Sequence, residues 1–255
     1  TSLAGRTADP APRALRIALG LPAETQAALV DAAARHSVLW TDIATAAMTS
    51  YLALMIDRPQ VRVGAPQMNR TLPGSGALAA ARTVCTAMNV LPVAAALPPG
   101  TTTADLVQAV RSDAAAVRDH AFARQEDLAR ALRRLGDAQL FGPQVNLMPF
   151  DLTLRFGEAS GTVRNLSAGP VEDMTWCIRG VPGAAGQPRA VRFEVDANPR
   201  LYGADDVRAH AARLRRWVEV FAAAPTEAVV TDLPLLSDDE RHQVLVELND
   251  TAHPV

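Results

Sequence analysis

The chain has 255 residues, a formal net charge of -2 and 49% apolar residues, much of it alanine. That length suits one large domain or two small ones around a real core, and the balanced charge excludes a nucleic-acid footprint. No apolar run approaches the ~20 residues that span a bilayer, and residues 1–20 lack the apolar core of a signal peptide, so a cytoplasmic protein is expected.

Every basic residue is arginine, a composition that a GC-rich genome explains. Cys85 and Cys177 have neither metal-like spacing nor a disulfide framework, and read as reduced, buried thiols. Residues 1–12 are polar and proline-bearing, a linker. Leu15, Ile17 and Leu19 alternate with Arg16 and Ala18, which predicts a short strand. Pro22 suits the first turn of a helix running to about His36. Trp40 to Ile56 reads as a second helix, apolar on most sides and so buried. Val61 and Val63 open a strand that runs into Gly64–Arg70. Leu72 to Ala81 is loop-like, and Val84 to Ala95 is extended. Thr103 to Arg118 is an amphipathic helix with Leu106, Val107, Val110, Ala114 and Val117 on one stripe. Another helix follows from about Arg124 to Leu135.

The stretch from Gln139 to Ile178 organises the rest. Val145 to Phe150 is an apolar run that traps one amide, Asn146. Leu152, Leu154 and Phe156 then alternate with polar neighbours, which predicts a half-buried strand. Gly157 to Gly161 reads as a turn, and Asn165 to Pro170 breaks the chain again. Val171 to Ile178 is a further strand led by Glu172 and Asp173. A buried strand carrying an amide, two turns and a strand opened by carboxylates has the composition of a site wall. Val191, Phe193 and Val195 alternate in one more strand, stopped by Asn198-Pro199. Ala204 to Ala223 is a long helix with Val207, Ala211, Leu214, Val218 and Phe221 at helical spacing. Val229 to Leu236 is extended. Ser237-Asp-Asp-Glu240 is a capping box for a last helix ending near Asn249. Helices and strands are mixed without strict βαβ alternation, which predicts a helix-covered mixed sheet.

Known catalytic signatures are missing. There is no nucleophile elbow, Walker loop or dinucleotide fingerprint. The five histidines (His36, His120, His210, His242 and His253) lie far apart, and none pairs at i, i+4 with another ligand. General-base work needs a positioned partner. Glu172 and Asp173 fall on opposite strand faces and are not a carboxylate pair. Asp173 is either an inward site residue or a solvated strand end.

Several stretches together resemble condensation domains of nonribosomal peptide synthetases. VCTAMNVLPV (84–93) is similar to the family's G-x-F-V-N-T-L-P-x-R motif. Asn89, Leu91 and Pro92 match, Val90 replaces its Thr, and Ala94 stands near its missing Arg. Gly64–Arg70 resembles the preceding strand ending in Gly-Arg, with Asn69 in place of the glycine. HAFARQED (120–127) resembles the family's His-Gln-Asp motif in its variant form, with His120 and Asp127 on the matching positions. The segment from Leu140 to Phe150 resembles N-P-L-F…V-M-F-N-L, with Asn146 on the asparagine. Residues from Asp196 to Tyr202 resemble the strand end before the last long helix. LPLLSDDERHQVLVELNDTAHP (233–254) resembles the linker to a following adenylation domain.

The resemblance implies an α/β (α+β) fold: one lobe of a two-lobed, chloramphenicol-acetyltransferase-like architecture, with a mixed sheet covered by helices. Residues 1–12 would be the interlobe linker, 13–228 the C-terminal lobe, and 229–255 the linker to the adenylation domain. The catalytic His-His-x-x-x-Asp-Gly is absent and belongs, by resemblance, to an N-terminal lobe, so this fragment is expected to be inactive alone. Implied partners are that lobe, donor and acceptor carrier proteins, and the adenylation domain. No cofactor would bind directly; the carriers' phosphopantetheine arms would be substrates. Residues 67–89 would cross as a floor beneath the substrate tunnel, starting near Arg70, and residues 150–167 would form a latch. Asn146, Met148, Asp173 and Trp176 are the candidate tunnel-wall residues, with a structural amide the alternative for Asn146 and plain core for Trp176. A carrier-docking lobe without chemistry, a heterocyclisation relative and an acyltransferase lobe of the same ancestry remain alternatives.

Overall fold

The computed structural model describes residues 2–69, 84, 88–134, 140–149, 154–161, 169–180 and 191–250. Arg70, Cys85, the Pro73–Gly76 loop, most of the expected latch and the chain end after Asp250 lie outside the described residues.

The local signals become elements close to where the periodicity puts them. β1 is Leu15–Gly20, α1 Ala23–His36, α2 Trp40–Met55, β2 Gln60–Met68 and β3 Met88–Ala96. α3 is Thr103–Asp119 and α4 Gln125–Arg134. β4 is Gln144–Met148, β5 Leu154–Phe156, β6 Ala159–Gly161, β7 Met174–Arg179 and β8 Arg192–Ala197. α5 is Ala204–Ala223 and α6 Asp238–Leu245. The caps are chemical. Thr102 Oγ1 accepts from the Asp105 amide at 3.1 Å, while Asp105 accepts from the Thr102 amide at 3.2 Å, which satisfies two orphan donors of α3. Ser237 and Glu240 do the same for α6.

Six strands form one mixed sheet in the order β1-β8-β7-β4-β2-β3. β4 runs parallel to both its neighbours, and the other pairs are antiparallel. The join between β4 and β2 is narrow, with one registered pair, Gly64 and Gln144. Gly64 is required there: a Cβ would stand 2.6 Å from the ring of Phe141.

Strand alternation gives the sheet two unlike faces. Val61, Val63, Val93, Val145, Trp176, Ile178, Phe193 and Val195 belong to the apolar core with residues of α1, α2, α3 and α5. α2 and α5 pack closely because Ala44, Ala46 and Ala47 are small and fully buried. Trp217 on α5 fills that junction, and its indole N–H donates to the Ala47 carbonyl at 2.9 Å and the Ser50 hydroxyl at 3.1 Å. A fully buried side chain of this size brings ~2–3 kcal/mol of transfer free energy, and its polar tip is satisfied.

Three stretches depart from the sequence expectation. Residues 2–11, which compose like a loose linker, are fastened down: Ala11 bridges to Val171 in antiparallel fashion. The alternation through Leu154 and Phe156 builds an exposed strand rather than a half-buried one. Among the described residues β5 pairs with β6 alone, outside the main sheet, and Leu154 and Phe156 stay exposed. The turn expected at Gly157–Gly161 narrows to two residues, and Ala159–Gly161 becomes the return strand. Val229 pairs with Thr102, after which the expected extended segment tightens into one 3-10 turn at Val230–Asp232.

Candidate functional site

The sheet face turned away from the core carries the polar residues, and the register sorts them into three rows. Arg16, Asp196, Thr175, Gln144, Gly64 and Pro92 form one row across all six strands. Ala18, Glu194, Cys177 and Asn146 form the next, and Gly20, Arg192, Arg179 and Met148 the third.

Charges on this face are largely buried, so each needs a partner. Asp196, 3% exposed, receives the Arg16 guanidinium through two bonds of 2.6 and 2.7 Å. That fork is the strong, planar form of the pair, and it raises the Arg16 pKa further. Glu194, 6% exposed, faces Arg179 at a looser 3.7 Å. The Arg179 Nε is buried and has no hydrogen-bond partner among the described residues. Burial pushes the Cys177 thiol up to about 11, which keeps it protonated and unreactive at neutral pH. Asn146 is half-buried in the centre of the face, and no hydrogen bond holds its amide among the described residues.

The candidates from the sequence fall into separate places. Asn146 and Met148 share the open face. Trp176 points the other way: it is fully buried in the core, edge-on to Tyr51 at 5.8 Å between ring centroids. A side chain enclosed there is packing rather than a wall open to a substrate. Asp173 precedes β7 and is buried too, accepting from Tyr202 and from Ser2 at 3.1 Å. Burial lifts its carboxyl above the ordinary carboxylate range, and the bonds from Tyr202 and Ser2 oppose that rise only in part. Asn89 is a tie, donating to the carbonyls of Ala121 at 2.9 Å and Ala123 at 2.7 Å. Pro92 stands opposite Gly64 in the first row. His120 is exposed at the end of α3, and Asp127 pairs with Arg130 at 2.8 Å on the exposed α4.

One residue that is not among the site candidates anchors the region. Asn198, wholly buried, donates to the carbonyls of Asp9 and Glu172, each at 3.0 Å, and accepts from the Arg200 amide at 2.9 Å. It joins the N-terminal segment, the start of β7 and the end of β8. Its sequence signals are the Asn-Pro turn and its place in the Asp196–Tyr202 stretch that resembles the family's strand end. No group of metal-ligating side chains occurs among the described residues, and none of the described helices is long and apolar enough alone to cross a membrane. Among the described residues no histidine stands in these three rows, and the two carboxylates there, Asp196 and Glu194, each face an arginine.

Residues 1–245 match the Condensation domain family. The chain belongs to that family. Among curated relatives, it is 34% identical over 250 residues to a dimodular nonribosomal peptide synthase of Bacillus subtilis, covering 96% of this chain and 10% of that protein. It is 33% identical over 229 residues to an isonitrile lipopeptide synthase of Streptomyces coeruleorubidus, covering 89% and 15%. Among solved structures, the first condensation domain of the calcium-dependent antibiotic synthetase superposes with a TM-score of 0.78 at 30% identity, over 93% of this chain and 50% of that one. A mutant of the starter condensation domain of rhizomide synthetase, in complex with C8-CoA, superposes at 0.77 with 32% identity, over 91% and 51%. This condensation-domain chain thus spans half the length of these solved condensation domains, and its helix-covered mixed sheet is part of their chloramphenicol-acetyltransferase-like fold.

Proposed function

We propose that this chain is the C-terminal half of a condensation domain that joins carrier-tethered acyl and aminoacyl groups through an amide bond. The observation that carries the reading is the coverage: 93% of the chain lies on 50% of a solved condensation domain. The polar face supports it: its carboxylates Asp196 and Glu194 face Arg16 and Arg179, as suits positioning groups in a half-domain whose partner lobe would hold the His-His-x-x-x-Asp-Gly motif.

In this reading the acceptor amine attacks the donor thioester carbonyl, the C–S bond breaks, and the thiol leaves on the donor's phosphopantetheine arm. A thioester is already activated. Holding amine and carbonyl at near-attack distance supplies a large part of the rate. Asn146, Met148, Glu194 and Arg179 would form this lobe's wall of the tunnel. Residues 67–89 would make the floor and 150–167 the latch. The segment from 229 would lead to an adenylation domain. Alone, the half-domain would be inactive.

The test is amide formation by the whole synthetase with both carriers loaded, read by mass spectrometry. Asn146→Ala should lower product while carrier binding persists. Carriers that bind without product, in the unaltered protein, would make this a docking lobe instead. A product lighter by one water would make it a heterocyclisation domain.

A further inference from the structure

In the third row of the open face, Arg179 on β7 stands directly opposite Arg192 on β8. Side chains paired this way lie with Cβ atoms roughly 4.5–5.5 Å apart, and like charges there are destabilising. Local compensation is thin. Glu194 reaches Arg179 only at 3.7 Å, and the buried Arg179 Nε donates to nothing among the described residues. Asp196 is already taken up by Arg16. Arg192 is exposed and forms no ion pair among the described residues. Two planar donor forks side by side suit an oxyanion. Met148, next in the row, supplies an apolar flank. Glu194 nearby favours a singly charged carboxylate over a doubly charged phosphate, which it would repel more strongly.

We propose that Arg179 and Arg192 form a specificity corner for an acyl or aminoacyl substrate that carries a carboxylate. The inference rests on the amide-forming reading above. Binding such a group would relieve the arginine pair and satisfy the orphaned N–H, so a neutral amide of the same shape would be the poorer substrate.

The experiment uses the whole synthetase with carriers loaded chemically with glutamyl or glutaminyl groups, tried first as donor and then as acceptor. On one of the two sides, glutamyl should be favoured by about 10–100-fold in kcat/KM, the range for a charge-assisted fork. Arg192→Gln alters an exposed side chain and should leave the fold intact. It should cut the preference to under about 3-fold with glutaminyl turnover little changed, and Arg179→Gln should lower the glutamyl preference as well. Equal turnover of the two substrates on both sides overturns the proposal, as does a preference that survives both substitutions. If the substitutions slow both substrates alike, the arginines hold a group common to both, such as the arm's phosphate, and the proposal also falls. No amide from any loaded pair refutes the amide-forming reading itself, which is a separate failure.

Discussion

Replacing Asn198 with alanine should loosen the N-terminal segment and cost the fold about 3 kcal/mol. The side chain is wholly buried and makes three bonds of 2.9–3.0 Å, to the carbonyls of Asp9 and Glu172 and from the amide of Arg200. Each bond contributes about 1 kcal/mol net, and a partner left buried and unpaired costs 1–3 kcal/mol. Asp9 and Glu172 are both exposed residues, so their carbonyls can regain water and the unpaired-partner cost stays at the low end. Three bonds therefore come to about 3 kcal/mol, or roughly 6–10 °C in Tm for a chain of this size. Urea denaturation gives the first number and calorimetry the second. Hydrogen exchange adds a local readout. The Ala11 amide donates to Val171 at 3.0 Å, and its protection should fall more than that of the Leu19–Phe193 pair in the same sheet. A loss below about 1 kcal/mol, or unchanged protection at Ala11, would refute the assignment of Asn198 as the tie between the three segments.

Other expectations are equally direct. Gly64→Ala should destabilise by about 1–3 kcal/mol, because the new methyl overlaps Phe141, and Phe141→Leu should recover part of the loss in the double variant. A raised Asp173 pKa means that the fold prefers the neutral carboxyl, so the group's stabilising share is full below its ordinary pKa and is lost as pH rises through the folded value. Asp173→Asn should thus match or exceed the unaltered protein in stability at pH 8 and lose that advantage by pH 4; a clear loss at pH 8 would contradict it. Arg213 binds Glu240 through bonds of 2.9 and 2.5 Å. Arg213→Ala should free α6 and speed proteolysis after Ser237 while lowering global stability by only about 1 kcal/mol.

The helices were legible because their signals are local. Apolar stripes and the proline at α1 fix α1, α2, α3 and α5 to within a residue or two, and the Ser237 capping box marks the start of α6. The strands were legible as strands, and alternation gave the faces of β1 and β8 but not of β7. In β7 every residue from Met174 to Ile178 is buried, so the sequence carries no alternation to say that Trp176 faces the helices and Cys177 the open side. Only the pairing of β7 with β4 and β8 decides that. The Asp173 cluster was hidden for a different reason: its partners, Ser2 and Tyr202, are 171 and 29 residues away. In the Leu154–Phe156 segment the pattern misled because alternation reports burial only when a second layer covers the strand, and among the described residues none covers β5.

The single registered pair between β4 and β2 divides the sheet mechanically. β1, β8, β7 and β4 make one panel, β2 and β3 the other, and Gly64 with Gln144 is the seam. Two flanking backbone bonds reinforce it, from Gly64 to Pro143 at 2.9 Å and from Gly142 to Arg62 at 3.1 Å. On the core side α2 touches β2, β3 and β4 and acts as a splint across the gap. On the open side nothing among the described residues repeats that brace. Any torsion between the panels would meet the least backbone pairing at Gly64, on the side of the polar face, while α2 ties β2, β3 and β4 together on the core side.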